Sequence, residues 1–216
     1  MADLFAGLDD QRPPREDMAE GAVLLHGFFR DIETELIADL RAIVKAAPFR
    51  HMVTPGGHMM SVAMTNCGSK GWVTDQGGYR YDAIDPDSGR PWPAMPASFR
   101  DLAARAAEQS GFHHFAPQAC LINRYRPRAK MSLHQDRDEL DLGAPIVSVS
   151  LGLPATFLFG GLARNDKTQK FRLEHGDIAV WGGPARLAYH GIAPLADGEH
   201  PVMGPQRINL TFRKVQ

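Results

Sequence analysis

The C-terminal half of the chain divides into seven short segments separated by turn residues, and this punctuation restricts the fold more than any other feature. The segments are ACLINRY (119–125), PIVSVSLG (145–152), ATFLFGG (155–161), FRLEHGD (171–177), IAVWGG (178–183), RLAYHGI (186–192) and RINLTFR (207–213). Short runs rich in β-branched and aromatic residues, bounded by Gly, Pro and Asp, read as strands. Seven of them in succession imply a sandwich or barrel. No internal repeat or low-complexity tract offers another architecture.

The N-terminal half reads differently. Residues 1–20 form a polar lead-in, and VLLHGFF (23–29) suits a short strand. Asp31 is placed to cap a helix whose apolar stripe is Ile32, Leu36, Ile37, Leu40, Ile43 and Val44, and Pro48 stops it. From Pro48 to Pro96, Gly and Pro recur among Met and aromatic residues. Such irregular, apolar segments in compact proteins are lids or binding loops. Within it SVAMT and YRY are candidate strands that pair with each other. A second helix follows, with Ser98 and Asp101 in a capping-box pattern and Gly111 just past its end. The expected organisation is a single domain over 1–216, with an N-terminal extension and helix (1–47), a loop-rich lid (48–96) and a core (97–213). The fold class is α+β, mainly β.

Composition excludes several function classes. The 216 residues carry 24 basic and 25 acidic side chains, a net charge of −1. Nucleic-acid binding therefore needs a local basic patch. Hydrophobic content of 44% is that of an ordinary globular protein. Cys67 and Cys120 match no zinc spacing and are expected as reduced thiols. The acidic N-terminus lacks a signal-peptide core, and no run approaches the length of a membrane span. The expectation is a cytoplasmic monomer with no membrane partner.

The chemistry starts at SLHQDRDE (132–139). On a strand, residues i and i+2 share a face, so His134 and Asp136 would point one way with Cα atoms roughly 6–7 Å apart. Leu133 and Gln135 would face the other way. Two His and one carboxylate on one face, with the opposite positions open, suit non-haem Fe(II). Of the other histidines, His190 in LAYHGI fits best as third ligand, being polar in an apolar strand. His175 reads as a turn residue and His200 as loop.

The last strand adds a second requirement. Ile208, Leu210 and Phe212 alternate with Arg207, Asn209, Thr211 and Arg213. The apolar face must pack on a core. The polar face is either solvated, as in many antiparallel sheets, or it lines the cavity of a small barrel. In a cavity the two Arg need anions, and a small dicarboxylate would satisfy both. Asn123 and Tyr125 share one face of ACLINRY with Leu121 and supply an amide and a phenol.

These residues, with MVTPGG, MSVAMTNCG, PWPAMP, FGG, LEHGD and VWGG, resemble the AlkB family of Fe(II)- and 2-oxoglutarate-dependent dioxygenases. The resemblance runs from the N-terminal helix almost to the C-terminus. It implies a double-stranded β-helix, or jelly roll, preceded by helices and a nucleotide-recognition lid. It implies His134, Asp136 and His190 as iron ligands. It implies 2-oxoglutarate held by Asn123, Tyr125, Arg207, Asn209 and Arg213, with O2 as the other cosubstrate. A substrate base would lie between Trp72 and His134, with Asp138 at its edge and Met64 and Tyr79 lining the lid. The implied activity is oxidative dealkylation of bases such as 1-methyladenine and 3-methylcytosine in single- or double-stranded DNA, releasing formaldehyde, succinate and CO2. Alternatives are the same chemistry on RNA, protein or a small molecule, or a non-catalytic jelly-roll module. Glu139 has no implied role. Arg124, Arg126, Arg128 and Lys130 in NRYRPRAK form a candidate phosphate-binding cluster, whereas Val73–Gly78 in the lid holds Asp75 and no cation.

Overall fold

The structure is a computed structural model that describes residues 12–216. Residues 1–11 of the expected polar lead-in lie outside the described residues. Fourteen strands and two helices are present among the described residues. They are β1 (Arg15–Ala19), β2 (Ala22–Leu25), α1 (Glu33–Ala46), β3 (Arg50–Val53), β4 (Met59–Gly68), β5 (Gly71–Asp75), β6 (Gly78–Asp82) and α2 (Ala97–Gln109). Then follow β7 (Ala119–Tyr125), β8 (Met131–His134), β9 (Ile146–Gly152), β10 (Ala155–Phe159), β11 (Gln169–Leu173), β12 (Ile178–Trp181), β13 (His190–Ile192) and β14 (Arg207–Arg213).

All seven segments of the C-terminal half contain a strand, although in RLAYHGI only His190–Ile192 is extended and FRLEHGD leaves its strand after Leu173. They divide between an eight-stranded sheet, ordered β1-β2-β12-β9-β14-β7-β4-β3, and a four-stranded sheet, ordered β11-β10-β13-β8. The two sheets face one another across a shared core. Phe157, Phe159 and Leu173 of the small sheet pack with Leu24, Leu121, Ile146 and Trp181 of the large one. Helices α1 and α2 cover the large sheet's outer face, where Leu36, Leu40, Phe99 and Leu102 meet Ile122, Val149, Leu210 and Phe212. This is the expected jelly roll with helices on one side. A central strand of such a sheet is buried on both faces, so every residue of β9 and β14 is buried. The alternation in β14 therefore separates two interiors rather than core from solvent.

Local expectations fail where long-range partners outcompete local ones. Asp31 does not cap α1, whose N-cap is Ile32. Its carboxylate instead accepts two hydrogen bonds from Arg105, at 2.9 and 3.2 Å. Ser98 makes no capping box with Asp101, because α2 starts behind Pro96. Its hydroxyl donates to Asp39 at 2.5 Å and ties α2 to α1. Residues 15–19 are not loose but form the edge strand β1, paired to β2. SVAMT lies in β4 and YRY in β6, but they do not pair with each other. β4 joins the large sheet between β7 and β3, while β6 pairs with β5 in a separate hairpin. Cys67 and Cys120 are free, buried and directly opposite on β4 and β7.

The β5–β6 hairpin is fixed at its base. Asn66, on β4, exchanges two 3.0 Å hydrogen bonds with the Trp72 backbone. Gly71 lies so close to Trp92 that a Cβ there would collide with the indole. Trp92 donates to the Asp82 carbonyl at 3.1 Å, and Arg50 of β3 lies 5.3 Å from its ring centroid. Arg50 also pairs with Asp85 at 2.6 Å and Asp87 at 2.9 Å.

Burial alone would raise the Asp85 carboxyl, but hydrogen bonds from Arg50, Ser88 and the Asp87 amide outweigh it and hold the group below its usual range. A depressed carboxyl stabilises the fold above the unfolded value of about 3.9, and the contribution is lost as pH falls through the folded value. Asp85→Asn is expected to cost about 1–3 kcal/mol at neutral pH, with the deficit vanishing in strong acid. Urea unfolding at several pH values measures this, and a pH-independent deficit would contradict it.

Candidate active site

His134 closes β8 and His190 opens β13, and the two residues are cross-strand partners. Their ring centroids are 4.4 Å apart. His134 Nδ1 lies 2.9 Å from the Ser132 carbonyl, and His190 Nδ1 lies 2.9 Å from the Ala188 carbonyl. A carbonyl only accepts, so each Nδ1 donates a proton to it, and Nε2 is the nitrogen left to ligate a metal. Both Nε2 atoms face Asp136, at 3.7 and 3.8 Å from its carboxylate oxygens. Ligand atoms of all three residues lie within 4.8 Å of one another. Among the described residues, this is the cluster of His, Cys, Asp and Glu side chains able to hold a metal ion.

Strand alternation is not what brings Asp136 to the histidines. β8 ends at His134, and 135–139 are irregular. Gln135 does not simply turn away either: its amide donates to the Leu187 carbonyl at 2.6 Å, and it borders the outer cavity. Asp136 is positioned by arginines. Arg213 Nη2 and Nε donate to one carboxylate oxygen, at 2.7 and 3.1 Å. Arg186 Nη1 donates to the Asp136 carbonyl at 2.6 Å. Burial pushes the Asp136 carboxyl up, but Arg213 and the two imidazoles outweigh it and hold it well below the carboxylate range. Burial, then His134, lowers His190 to about 4, so its imidazole is neutral at neutral pH and its Nε2 is available.

Glu139 completes this network, and nothing in its sequence neighbourhood signals the role. Only 5% exposed, it accepts from Arg186 at 2.9 Å, from the Tyr81 hydroxyl, and lies 3.3 Å from Arg213 Nε. Two carboxylates and two guanidiniums thus neutralise one another in the interior. Asn66 is the second residue that sequence reasoning misses, since it sets the height of Trp72.

Behind the histidines lies a small inner cavity. It is bordered by Asn123, Tyr125, His134, Asp136, His190, Arg207, Asn209 and Arg213. Register explains the grouping: Arg207 sits opposite Tyr125 and Asn209 opposite Asn123 on adjacent strands. Arg207 is 1% exposed, with its guanidinium 5.1 Å from the Tyr125 ring centroid. One nitrogen reaches Ser150 at 3.1 Å. Arg207 Nε and Nη1, Arg213 Nη1 and Asn123 Oδ1 are buried without a hydrogen-bond partner. Unpaired buried guanidinium nitrogens are costly and call for an anion. These residues therefore fit an oxoacid with carboxylates at both ends, beside a His/Asp/His donor set that suits Fe(II).

In front of the histidines lies an outer cavity of about 630 Å³, bordered by Met64, Trp72, Tyr79, His134 and Asp138. His134, Asp136 and Arg213 border both cavities. Trp72 and Tyr79 stack at 5.6 Å. The Trp72 indole donates to Asp138 at 2.9 Å, which fixes its plane. Other sequence candidates lie elsewhere. His175 accepts from the Gly152 amide at 2.9 Å and stacks on His200 at 4.5 Å. Arg124 lies over Phe49, and Asp75 is held by Arg80 at 2.8 Å.

Removing one member of a buried ion network leaves its partner's charge uncompensated, at about 3–5 kcal/mol. Glu139→Ala is therefore expected to lower the melting temperature by on the order of ten degrees. A change within about 1 kcal/mol, the range of surface ion pairs, would show that Glu139 is not part of the network.

Comparisons with known proteins agree with this geometry. Residues 21–213 match the model of the 2OG-Fe(II) oxygenase superfamily. The chain is 58% identical over 214 residues to the alpha-ketoglutarate-dependent dioxygenase AlkB of Escherichia coli, covering 99% of this chain and 98% of that protein. It is 30% identical over 132 residues to the tRNA demethylase abh1 of Schizosaccharomyces pombe, covering 60% of this chain and 43% of that protein. Among solved structures, OsALKBH1 superposes with a TM-score of 0.82 at 30% identity, covering 93% of this chain and all of that one. The matched span contains β8, β13 and β14, the strands that place the two histidines and the two inward arginines around the inner cavity. The chain belongs to the AlkB family of Fe(II)- and 2-oxoglutarate-dependent dioxygenases.

Proposed function

We propose that the chain removes alkyl groups from ring nitrogens of bases, such as 1-methyladenine and 3-methylcytosine, in DNA and also in RNA, repairing the base directly. One observation carries the reading. An inner cavity with unpaired guanidinium nitrogens, which His190 borders, and an outer cavity walled by Trp72 and Tyr79 meet at His134, Asp136 and Arg213. The two relatives, one an alpha-ketoglutarate-dependent dioxygenase and one a tRNA demethylase by name, support the chemistry and a nucleic-acid substrate.

In this reading His134, Asp136 and His190 hold Fe(II), and Asn123, Tyr125, Arg207, Asn209 and Arg213 hold 2-oxoglutarate. When bound, Fe(II), 2-oxoglutarate and O2 supply the oxidising power that hydroxylates the N-alkyl carbon, with succinate and CO2 as coproducts and a methyl leaving as formaldehyde. Arg207 binds the distal carboxylate, and its burial makes that ion pair strong and selective. Arg213 serves the chelating end while balancing the Asp136 charge. Trp72 and His134 sandwich the base, and Met64 and Tyr79 close the lid side. The Asp138 carboxylate favours a cationic alkylated base over a neutral one, and Trp72 adds cation–π attraction. A base held this way has left the stack, so it is flipped out or supplied single-stranded.

The same reading treats the chain as one catalytic domain with residues 48–96 as the recognition lid. It takes the protein as a cytoplasmic monomer. Among the described residues no helix is long and apolar enough to cross a membrane.

The test is incubation with Fe(II), 2-oxoglutarate, O2 and an oligonucleotide carrying 1-methyladenine. Expected is one succinate per methyl group removed. Succinate without demethylation would move the activity to another substrate. His190→Ala is expected to lose iron binding and turnover together, while His175→Ala keeps iron binding. The opposite pattern would overturn the ligand assignment.

A further inference from the structure

We infer that the turn between β7 and β8 is a phosphate-binding strap, in which Arg126 and Arg128 grip phosphodiester groups of the nucleic-acid strand entering the outer cavity. The inference rests on the functional reading above and names an interaction outside the base and oxoacid sites.

The turn is short and rigid. The Ala129 amide donates to the Arg126 carbonyl at 2.9 Å. The Arg128 amide donates to the Leu195 carbonyl at 2.8 Å, and the Leu195 amide returns a bond to the Ala129 carbonyl at 3.0 Å. Ala129 and Leu195 are buried, so the apolar side of the turn is fastened to the core. Ser61 of β4 bridges the Lys130 backbone through bonds of 3.1 and 3.3 Å. That bridge fixes the turn to the rim of the outer cavity, which Ser61 and Lys130 both border.

This platform presents Arg126, Arg128 and Lys130 to solvent. None of the three forms an ion pair among the described residues, whereas Arg50, Arg80, Arg105, Arg186, Arg213 and Lys214 all do. The segment that holds the turn carries Asp197 and Glu199, and neither pairs with it. Near-neutral overall charge therefore conceals a basic margin beside the cavity. Arg128 is held at φ +73°, a left-handed conformation that glycine adopts freely and a side chain adopts under strain. A guanidinium kept at such a position points to an interaction made by that side chain. Unpaired, exposed guanidiniums on a fixed turn beside the outer cavity suit phosphodiester oxygens.

The test compares wild type with the double variant Arg126→Gln, Arg128→Gly, in which glycine relieves the left-handed strain and keeps the turn. Affinity for labelled DNA containing 1-methyladenine is measured across a salt series, as single strand and as duplex. Turnover of a methylated trinucleotide is measured alongside. Removing one cation–phosphate interaction flattens the slope of log affinity against log salt by about 0.9 for duplex and about 0.7 for single strand. The expected result is a slope flatter by about 1–2 in the double variant. A slope equal to that of wild type in both substrates would overturn the strap. Wild-type protein that leaves both the trinucleotide and the longer DNA methylated would instead sink the functional reading, independently of the slopes.

Discussion

Everything at the centre of this molecule depends on the ion network of Asp136 and Glu139 with Arg186 and Arg213. Asp136 lies beyond the end of its strand, so backbone regularity cannot aim it. The two arginines do so, one through the carboxylate and one through the peptide carbonyl. Buried ion pairs of this kind add little net stability compared with apolar packing, but they fix geometry, and losing one member is expensive. Here the geometry they fix is a carboxylate facing two imidazole Nε2 atoms. The same Arg213 borders the inner cavity and the outer one. Charge balance, metal-ligand placement and cosubstrate recognition are thus parts of one electrostatic unit.

β14 shows how the fold supplies that unit. Its odd-numbered residues, Arg207, Asn209, Thr211 and Arg213, face the cavity between the sheets. Its even-numbered residues, Ile208, Leu210 and Phe212, pack under the helices, with Phe212 edge-on to Phe99 at 5.9 Å. The strand lies between β9 and β7, so its backbone is held along both edges and both arginines start from fixed positions. The helical layer therefore serves the chemistry indirectly, by enclosing the strand that carries both arginines.

Much of this is legible in the sequence, for a physical reason. Period-2 patterns survive in strands that divide two environments, and each of the seven C-terminal segments contains a strand. His190 stands out because an imidazole in an apolar strand needs a purpose. What stays hidden depends on distant partners. Glu139 reads as a surface charge until Arg186, 47 residues away, is seen beside it. Asn66 reads as ordinary strand polarity until the Trp72 backbone closes on it. Asp31 and Ser98 carry good local capping signals, but Arg105 and Asp39 offer stronger partners. β1 and β3 are short, and only their neighbours in the sheet identify them as strands. Local chemistry is readable, whereas the choice between a local and a remote partner is not.

The central claim is that the buried, partly unpaired Arg207 exists to receive the distal carboxylate of a five-carbon oxoacid. Calorimetric titration without O2, with Mn(II) in place of Fe(II), tests it most directly. The titrants are 2-oxoglutarate and 2-oxopentanoate, which carries a methyl where the distal carboxylate would be. Wild type is expected to favour 2-oxoglutarate by roughly thirtyfold or more, the range for a buried charge pair deprived of one partner. Arg207→Met is expected to erase that preference while leaving Mn(II) binding intact. An equal preference in wild type and variant would contradict the account.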